Sequence, residues 1–284
     1  MSCHAACGGG ARATLPVART QFRMSPFHIE HFALLDSTNQ RLLRRAATED
    51  CHRCCVVADS QSAGRGQRGR AWHAAPGTAL LFSVAWRFAP GVALDGLSLA
   101  VGAMTVAVLA EQGVLGLRLK WPNDLLAPLG HGGTGDDVAA LGKLGGVLIE
   151  TVSAGAAGRT AVIGVGINVS AVPTARLRPD ALPPVCLDDL VRQPLSRERL
   201  LEALIERYAR DLPSFADHGF APFRDAWWQA RAWAGQPLDV RLPDGRELSG
   251  GMVGLAPGGA LVIEAAGALH TLVSGEVSVR AARS

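Results

Sequence analysis

Three apolar segments with strand character limit what this chain can become. TALLFSVAWRF (78–88) puts Leu80, Phe82, Val84, Trp86 and Phe88 on one side of an extended backbone and Ser83 and Arg87 on the other. Successive side chains of a strand point to opposite faces, so this alternation predicts a strand with one face in a core. KLGGVLIETV (143–152) and TAVIGVGINV (160–169) read as two further strands, adjacent to each other. Sheet this apolar must be covered by another layer, and LSLAVGAMTVAVLA (97–110) supplies it as a buried helix over about 95–112. That run is too short to span a bilayer. With 48% hydrophobic and 19% charged residues, the 284-residue chain can bury a substantial core. Its net charge of +3 is too small to argue for nucleic acid. The start, MSCHAACGGGARA, has no apolar stretch of the signal-peptide kind, so a soluble cytoplasmic protein with no membrane partner is expected.

The remaining segments fill in a mixed sheet. HIEHFALL (28–35) reads as a short strand, and Asp36, Ser37 or Thr38 can cap a helix to about Ala47 with Leu42, Leu43 and Ala46 inward. Cys54–Ser60 and GLRLKW (116–121) read as strands, the latter with Leu117, Leu119 and Trp121 inward. Residues 128–142 are rich in Gly and Asp and predict a hairpin tip or insert, and 172–184 form a Pro-rich crossing. Helices are expected at about 196–212 and 221–233. From Gln236 the texture changes to short strands and tight turns: PLDVRL, ELSGGMVGL, ALVIEA, LHTLV and EVSVR. The expected organisation is a tail (1–27), an α+β domain with a mixed β-sheet flanked by helices (28–235), and a small β-barrel-like domain (236–284). Of the six cysteines, Cys51, Cys54 and Cys55 include a CxxC, but no second ligand pair lies at zinc spacing. Reduced thiols in or beside a strand are expected, with zinc or redox chemistry as the alternative.

GRGQRGRAW (64–72) carries the chemistry. No Asp or Glu occurs from Ser60 to Leu94, whereas Arg65, Arg68, Arg70 and Arg87 all do. Gly64, Gly66 and Gly69 spell GxGxxG, but a dinucleotide site needs a helix directly after and an acid farther on. Here a strand follows, and the first acid is Asp95. A Walker A motif fails because Gly142-Lys143 is followed by Leu, and the HRD and DFG tripeptides of a kinase are absent. An anion-binding loop in some other fold remains, against a merely basic surface loop. DSTNQ (36–40) sets hydroxyls and amides at a helix start, KWPND (120–124) ends a strand with an amide and a carboxylate, KLGG (143–146) puts a lysine beside glycines, and GVGIN (164–168) puts glycines inside a strand, as close approach demands.

In this order, STNQ, DSQSAGRGQRGRAW, LKWPNDLL, KLGGVLIE and IGVGINV resemble a biotin–protein ligase (biotin–[acetyl-CoA-carboxylase] ligase), over about Leu34 to Val169, and the C-terminal module sits where that family has an SH3-like domain. The resemblance implies a class II synthetase-like catalytic domain. It implies formation of biotinyl-5′-AMP from biotin and MgATP with release of pyrophosphate, then transfer of biotin to one lysine of a biotin carboxyl carrier protein or domain. Ser37, Thr38 and Gln61 would hold the ureido ring with Asn39 alongside, and Gly64, Arg65, Gly66 and Gln67 would wrap the biotin carboxylate and the adenylate. Arg68 and Arg70 belong to the same loop. Lys143 would stabilise developing charge without forming a covalent intermediate, with Arg65 and Asp124 as further catalytic groups. Asn123 and Asp124 would orient ATP and its Mg²⁺, or the incoming lysine. Gly146, Gly164, Gly166, Ile167 and Asn168 would line the floor. Trp72 either packs beside the adenylate or anchors the loop. No residue is assigned to a resident metal, and a homodimer is allowed for.

Two departures stand out. Gln67 occupies a place where many members carry arginine, and no tryptophan occurs in 170–195 to stack on adenine. Residues 1–27 show no helical pattern, so a ligase without its own DNA-binding domain, and no DNA partner, is expected. The rivals are a lipoate or octanoate ligase of the same superfamily, a DNA-binding corepressor, and a catalytically dead biotin-binding module. The polar STN and Gln61 group favours a ureido ring over a plain acyl chain. The expectation of no DNA-binding domain speaks against the corepressor, and the retained Lys143 and arginine loop against the dead module.

Overall fold

The computed structural model describes residues 25–129, 141–172, 181–242, 244–273 and 278–282. Its centre is a seven-stranded sheet in the order β1-β2-β3-β7-β6-β5-β4. The strands are β1 (His28–Phe32), β2 (Cys54–Ala58), β3 (Ala79–Phe88), β4 (Arg118–Lys120), β5 (Asp124–Pro128), β6 (Leu141–Ser153) and β7 (Arg159–Asn168). β1 runs parallel to β2, and the other neighbours are antiparallel, so the sheet is mixed as expected. The three apolar segments form the middle: β3 pairs with β7 from Ala79↔Asn168 to Phe88↔Arg159, and β7 pairs with β6.

Helix α1 (Thr38–Ala46) lies on one face of the sheet, against β2, β3, β6 and β7. Helices α2 (Leu97–Glu111) and α3 (Arg197–His218) cover the other. The alternation of β3 is real, since Leu80, Phe82, Val84, Trp86 and Phe88 enter the main core. The opposite face is not solvent, however: Ser83 and Ala85 are also fully buried, beneath α1. A polar side chain therefore lies inside, and it needs a partner there.

Four local expectations need correction. Phe27 was placed in the tail, yet it is buried against Trp86 with ring centroids 6.1 Å apart, because a large apolar side chain gains by covering that ring. β5 was not expected as a strand: its Leu125, Leu126 and Ala127 form a short buried run between β4 and β6. α3 runs on through Pro213 to His218 because Leu212 and Phe215 are buried on either side of the proline. The helix expected over 221–233 is a 3₁₀ turn (Ala221–Phe223) and a short α4 (Arg224–Gln229). Its remainder is drawn out along β4, with Leu119 N–H donating to Ala230 O at 2.7 Å and Ala232 N–H to Leu119 O at 2.9 Å. An otherwise bare edge strand thus finds backbone partners. Most of the 128–142 insert and of the 172–184 crossing lies outside the described residues.

The C-terminal segments form a separate five-stranded antiparallel sheet, ordered β11-β10-β9-β8-β12, which fits an SH3-like domain. Its strands are β8 (Pro237–Arg241), β9 (Glu247–Leu255), β10 (Leu261–Ala265), β11 (Ala268–Leu272) and β12 (Ser278–Ala281). It is joined to the first sheet through the β9–β10 turn, where Trp121 Nε1–H donates to Gly259 O at 3.0 Å. Cys51, Cys54, Cys55 and Cys186 are buried free thiols. Among the described residues no His, Cys, Asp and Glu groups gather as a metal site, and no helix is long and apolar enough to cross a membrane.

Candidate active site

A cleft of about 1550 Å³ opens over the α1 side of β3, β7 and β6 and extends to the C-terminal sheet. It exceeds the roughly 300–1,000 Å³ of most small-molecule pockets, which gives room for more than one substrate. Its two ends differ in chemistry.

One end is neutral and polar. Ser37 is the N-cap of α1, and its Oγ accepts from Gln40 N–H at 3.5 Å. That bond uses a lone pair and leaves the hydroxyl proton for another acceptor. Gln61 Oε1 accepts from Thr38 N–H at 2.7 Å and from Thr38 Oγ1 at 3.2 Å. Beneath them, Ser83 Oγ lies 2.7 Å from Thr38 Oγ1 and 2.6 Å from Asn39 Oδ1. The Asn39 amide donates to Glu150 Oε2 at 3.0 Å and to Leu148 O at 3.3 Å. Both ends of that amide are engaged by protein, so Asn39 braces α1 onto β6. Ser83 is the group the sequence reading missed: it was seen only as the polar side of an alternating strand, and its burial at 0% exposure requires α1 overhead. Replacing Ser83 with alanine is expected to leave Thr38 and Asn39 short of a partner and to cost about 1–3 kcal/mol. Urea unfolding of the variant measures this, and an unchanged midpoint would show the bridge to be idle.

The glycines of β7 admit protein, not only open space. A Cβ on Gly164 would lie 2.1 Å from Asn39 Oδ1, and one on Gly166 would lie 3.0 Å from the Trp72 indole. Gly164, Gly166 and Asn168 share the cleft face and line it. Ile167, expected on the floor, points the other way and is fully buried in the core, as strand alternation requires. Asn168 donates to Lys143 O at 3.2 Å and Val185 O at 3.1 Å, and Asn123 donates to Val147 O at 2.8 Å. Gly146 lines the cleft beside them.

The other end is cationic. Asp124, only 8% exposed at the start of β5, accepts from Lys143 Nζ on Oδ1 at 2.6 Å and from Lys120 Nζ on Oδ2 at 2.7 Å. Burial alone would push its carboxyl up, but Lys143 and Lys120 outweigh burial and hold it well below the usual carboxylate range. Lys143 Nζ also sits 5.7 Å from the centre of the Trp72 ring. The Trp72 Nε1–H is buried beside Gly166 and has no hydrogen-bond partner among the described residues.

The Gly/Arg loop closes on itself. Trp72 N–H donates to Gly64 O at 2.9 Å and Gly66 N–H to Arg70 O at 2.7 Å, around a 3₁₀ turn with Arg68 in the left-handed region at φ 59°. Arg65 NH1 lies 3.6 Å from Glu150 Oε1, a half-exposed pair. Arg65, Gly66, Gln67, Arg70 and Trp72 line the cleft. Gly64 and Arg68 do not, and Arg68 instead borders a small second hollow between the loop and β6. The sequence reading also passed over Lys120, Arg241 and Arg280, which line the cleft. Lys120 stood within KWPND, four residues before its carboxylate. Nothing local marks Arg241 and Arg280, which arrive on β8 and β12 of the other sheet.

Comparison with known proteins adds to this geometry. The profile of the Biotin/lipoate A/B protein ligase family matches residues 31–168. The bifunctional ligase/repressor BirA of Salmonella typhimurium is 31% identical over 271 residues, which cover 94% of this chain and 79% of that protein. The biotin–[acetyl-CoA-carboxylase] ligase of Paracoccus denitrificans is 32% identical over 254 residues, 82% of this chain and 97% of that one. Among solved structures, a biotin protein ligase from Aquifex aeolicus in complex with biotin and ATP superposes with a TM-score of 0.70 at 25% identity, covering 90% of this chain and 99% of that one.

Proposed function

This chain belongs to the Biotin/lipoate A/B protein ligase family, as a biotin–protein ligase, and from that premise we propose that its cleft joins biotin to the α-phosphate of ATP and passes it to a lysine of a biotin carboxyl carrier domain. The observation that carries the reading is the juxtaposition in one cleft of a neutral hydroxyl and amide end with a lysine-rich end, across the floor of β7. A ureido ring offers donors and an acceptor without charge, which suits Ser37, Thr38 and Gln61. A carboxylate meeting a triphosphate brings anions together, which calls for Lys143, Arg65 and Arg70. In the Aquifex aeolicus complex, biotin and ATP occupy an enzyme of the same fold.

In the first step a biotin carboxylate oxygen attacks the α-phosphorus. The new O–P bond forms as the bond from that phosphorus to the α,β-bridging oxygen breaks, and pyrophosphate leaves with the electron pair. No proton moves, so the protein's task is to position and to neutralise. Lys143 and Arg65 meet the carboxylate and the α-phosphate, while Gly66, Gln67, Arg70 and Trp72 lie over the product. In the second step the acceptor amine attacks the acyl carbon, the C–N bond forms, AMP departs and the amine loses a proton. Asp124 acts here by charge and position: two ammonium groups hold it ionised, so it is a poor proton acceptor. Magnesium enters as part of the MgATP substrate. Both Asp124 oxygens are committed to lysines, and the described residues offer no further acidic cluster to cage a resident ion. The reading places the enzyme in the cytoplasm, where carboxylases and ATP meet it.

The test is to mix the purified protein with MgATP and an equimolar biotin and lipoate mixture, without acceptor, and to identify the acyl-adenylate by mass spectrometry. Biotinyl-AMP alone is expected. Lipoyl-AMP would move the substrate to the sister branch, and neither adenylate from folded protein would overturn the reading.

A further inference from the structure

Asp124 has two lysines where one would neutralise it. Lys143 holds Oδ1 at 2.6 Å and Lys120 holds Oδ2 at 2.7 Å, so each oxygen has its own cation. Asp124 is 11% exposed at its side chain, Lys120 17% and Lys143 33%, so Lys143 is the outer partner. It is also the one poised over Trp72, on the floor of the cleft. For Lys143 to reach a ligand carboxylate it must give up some or all of its hold on Asp124. A buried carboxylate deprived of its counter-ion is costly, so a site with Lys143 alone would resist giving it up. Lys120 removes that obstacle because it stays on the other oxygen.

We propose that Lys120 is a positioning residue held in reserve: it keeps Asp124 paired when Lys143 shifts from Oδ1 to the carboxylate of biotin, and so sets how tightly the cleft takes that carboxylate. This rests on the reading above that Lys143 meets the biotin carboxylate. In linkage language, Asp124 and biotin compete for one ammonium group, and Lys120 weakens Asp124 as the competitor. The consequence is an unusual pattern of mutations. Lys120→Met leaves Asp124 dependent on Lys143 and lowers biotin affinity. Asp124→Asn in the same background removes the competitor and restores it. A merely structural role predicts the reverse, because two changes at a buried cluster damage packing more than one.

The experiment is calorimetric titration of the full-length protein with biotin alone, without nucleotide or divalent ion, for wild type, Lys120→Met, Lys120→Arg, Asp124→Asn and the Lys120→Met/Asp124→Asn pair. Lys120→Met is expected to weaken binding by about tenfold, within the usual range of coupling between two sites. Lys120→Arg is expected to stay near wild type, and the double variant to recover most of the loss. Should Lys120→Met not fold, Asp124→Asn alone decides, since freeing Lys143 is expected to tighten biotin binding. Unchanged affinity in folded Lys120→Met, a double variant weaker than Lys120→Met, or unchanged or weaker binding by Asp124→Asn would each overturn the proposal while leaving the ligase reading intact. A folded wild-type protein that does not bind biotin would overturn both.

Discussion

Lys143→Ala is expected to lower the rate of biotin-dependent exchange between ATP and pyrophosphate by about a hundred- to a thousandfold, the range found when one preorganised donor to a developing charge is removed. The side chain is well placed for that role. Its Nζ pairs with Asp124 and sits over the Trp72 ring, beside Gly146 and in the cleft that Arg65 and Arg70 also line. Adenylation joins a carboxylate to a phosphate, so the loss should appear in the rate with bound substrates and not only in their affinities. Arg65 and Arg70 remain in the variant and set the residual rate. Wild-type exchange in a folded Lys143→Ala protein would remove Lys143 from the chemistry and return it to being a simple ion-pair partner.

Gly164→Ala is expected to have the largest effect of any single methyl group added to the cleft. The new Cβ would fall 2.1 Å from Asn39 Oδ1, and Asn39 cannot step aside cheaply because Ser83, Leu148 and Glu150 all hold it. Either β7 moves or α1 does, at a cost of about 1–3 kcal/mol for an overpacked interior. Since α1 carries Ser37 and Thr38 on its first turn, a displacement of that helix misplaces the polar end of the cleft. A shift of the order of 1 Å can slow a positioned reaction about a hundredfold. Urea unfolding and adenylate formation measured on the same sample check both effects. Asn39→Ala in the Gly164→Ala background clears the clash and should recover part of the stability. No recovery there would mean that the methyl meets something other than Asn39.

These two residues also show how far the sequence could be read. Lys143 was found because it sits in KLGG among four other ordered motifs, and a short motif keeps its meaning wherever the fold carries it. Gly164 was singled out for a sound reason, that glycine inside a strand implies close approach, but the approaching group was taken to be a ligand. It is Asn39, a residue 125 positions earlier in the chain, as the numbering of the two shows. No local pattern names such a partner, because it depends on α1 lying across β7. Ser83 was misjudged for the same cause: an alternating strand shows which residues share a face, and only the neighbouring layer decides whether the second face is wet.

The sequence by itself determined the periods and the punctuation: the central strands, a helix capped within Asp36–Thr38, the buried α2, the change of texture at Gln236 and the motifs that supply many of the cleft residues. These follow from interactions among residues close in the chain, which side-chain alternation, capping and turn chemistry encode directly. The tertiary structure alone decided what those elements face. It drew residues 230–232 out of the expected helix to pair with β4, set Asn39 of α1 against Gly164 of β7, and brought Arg241 and Arg280 to the cleft from the other sheet. Each depends on the register and docking of segments far apart in the chain. A shift of one residue in that register would reverse every face, whereas the local pattern would be unchanged.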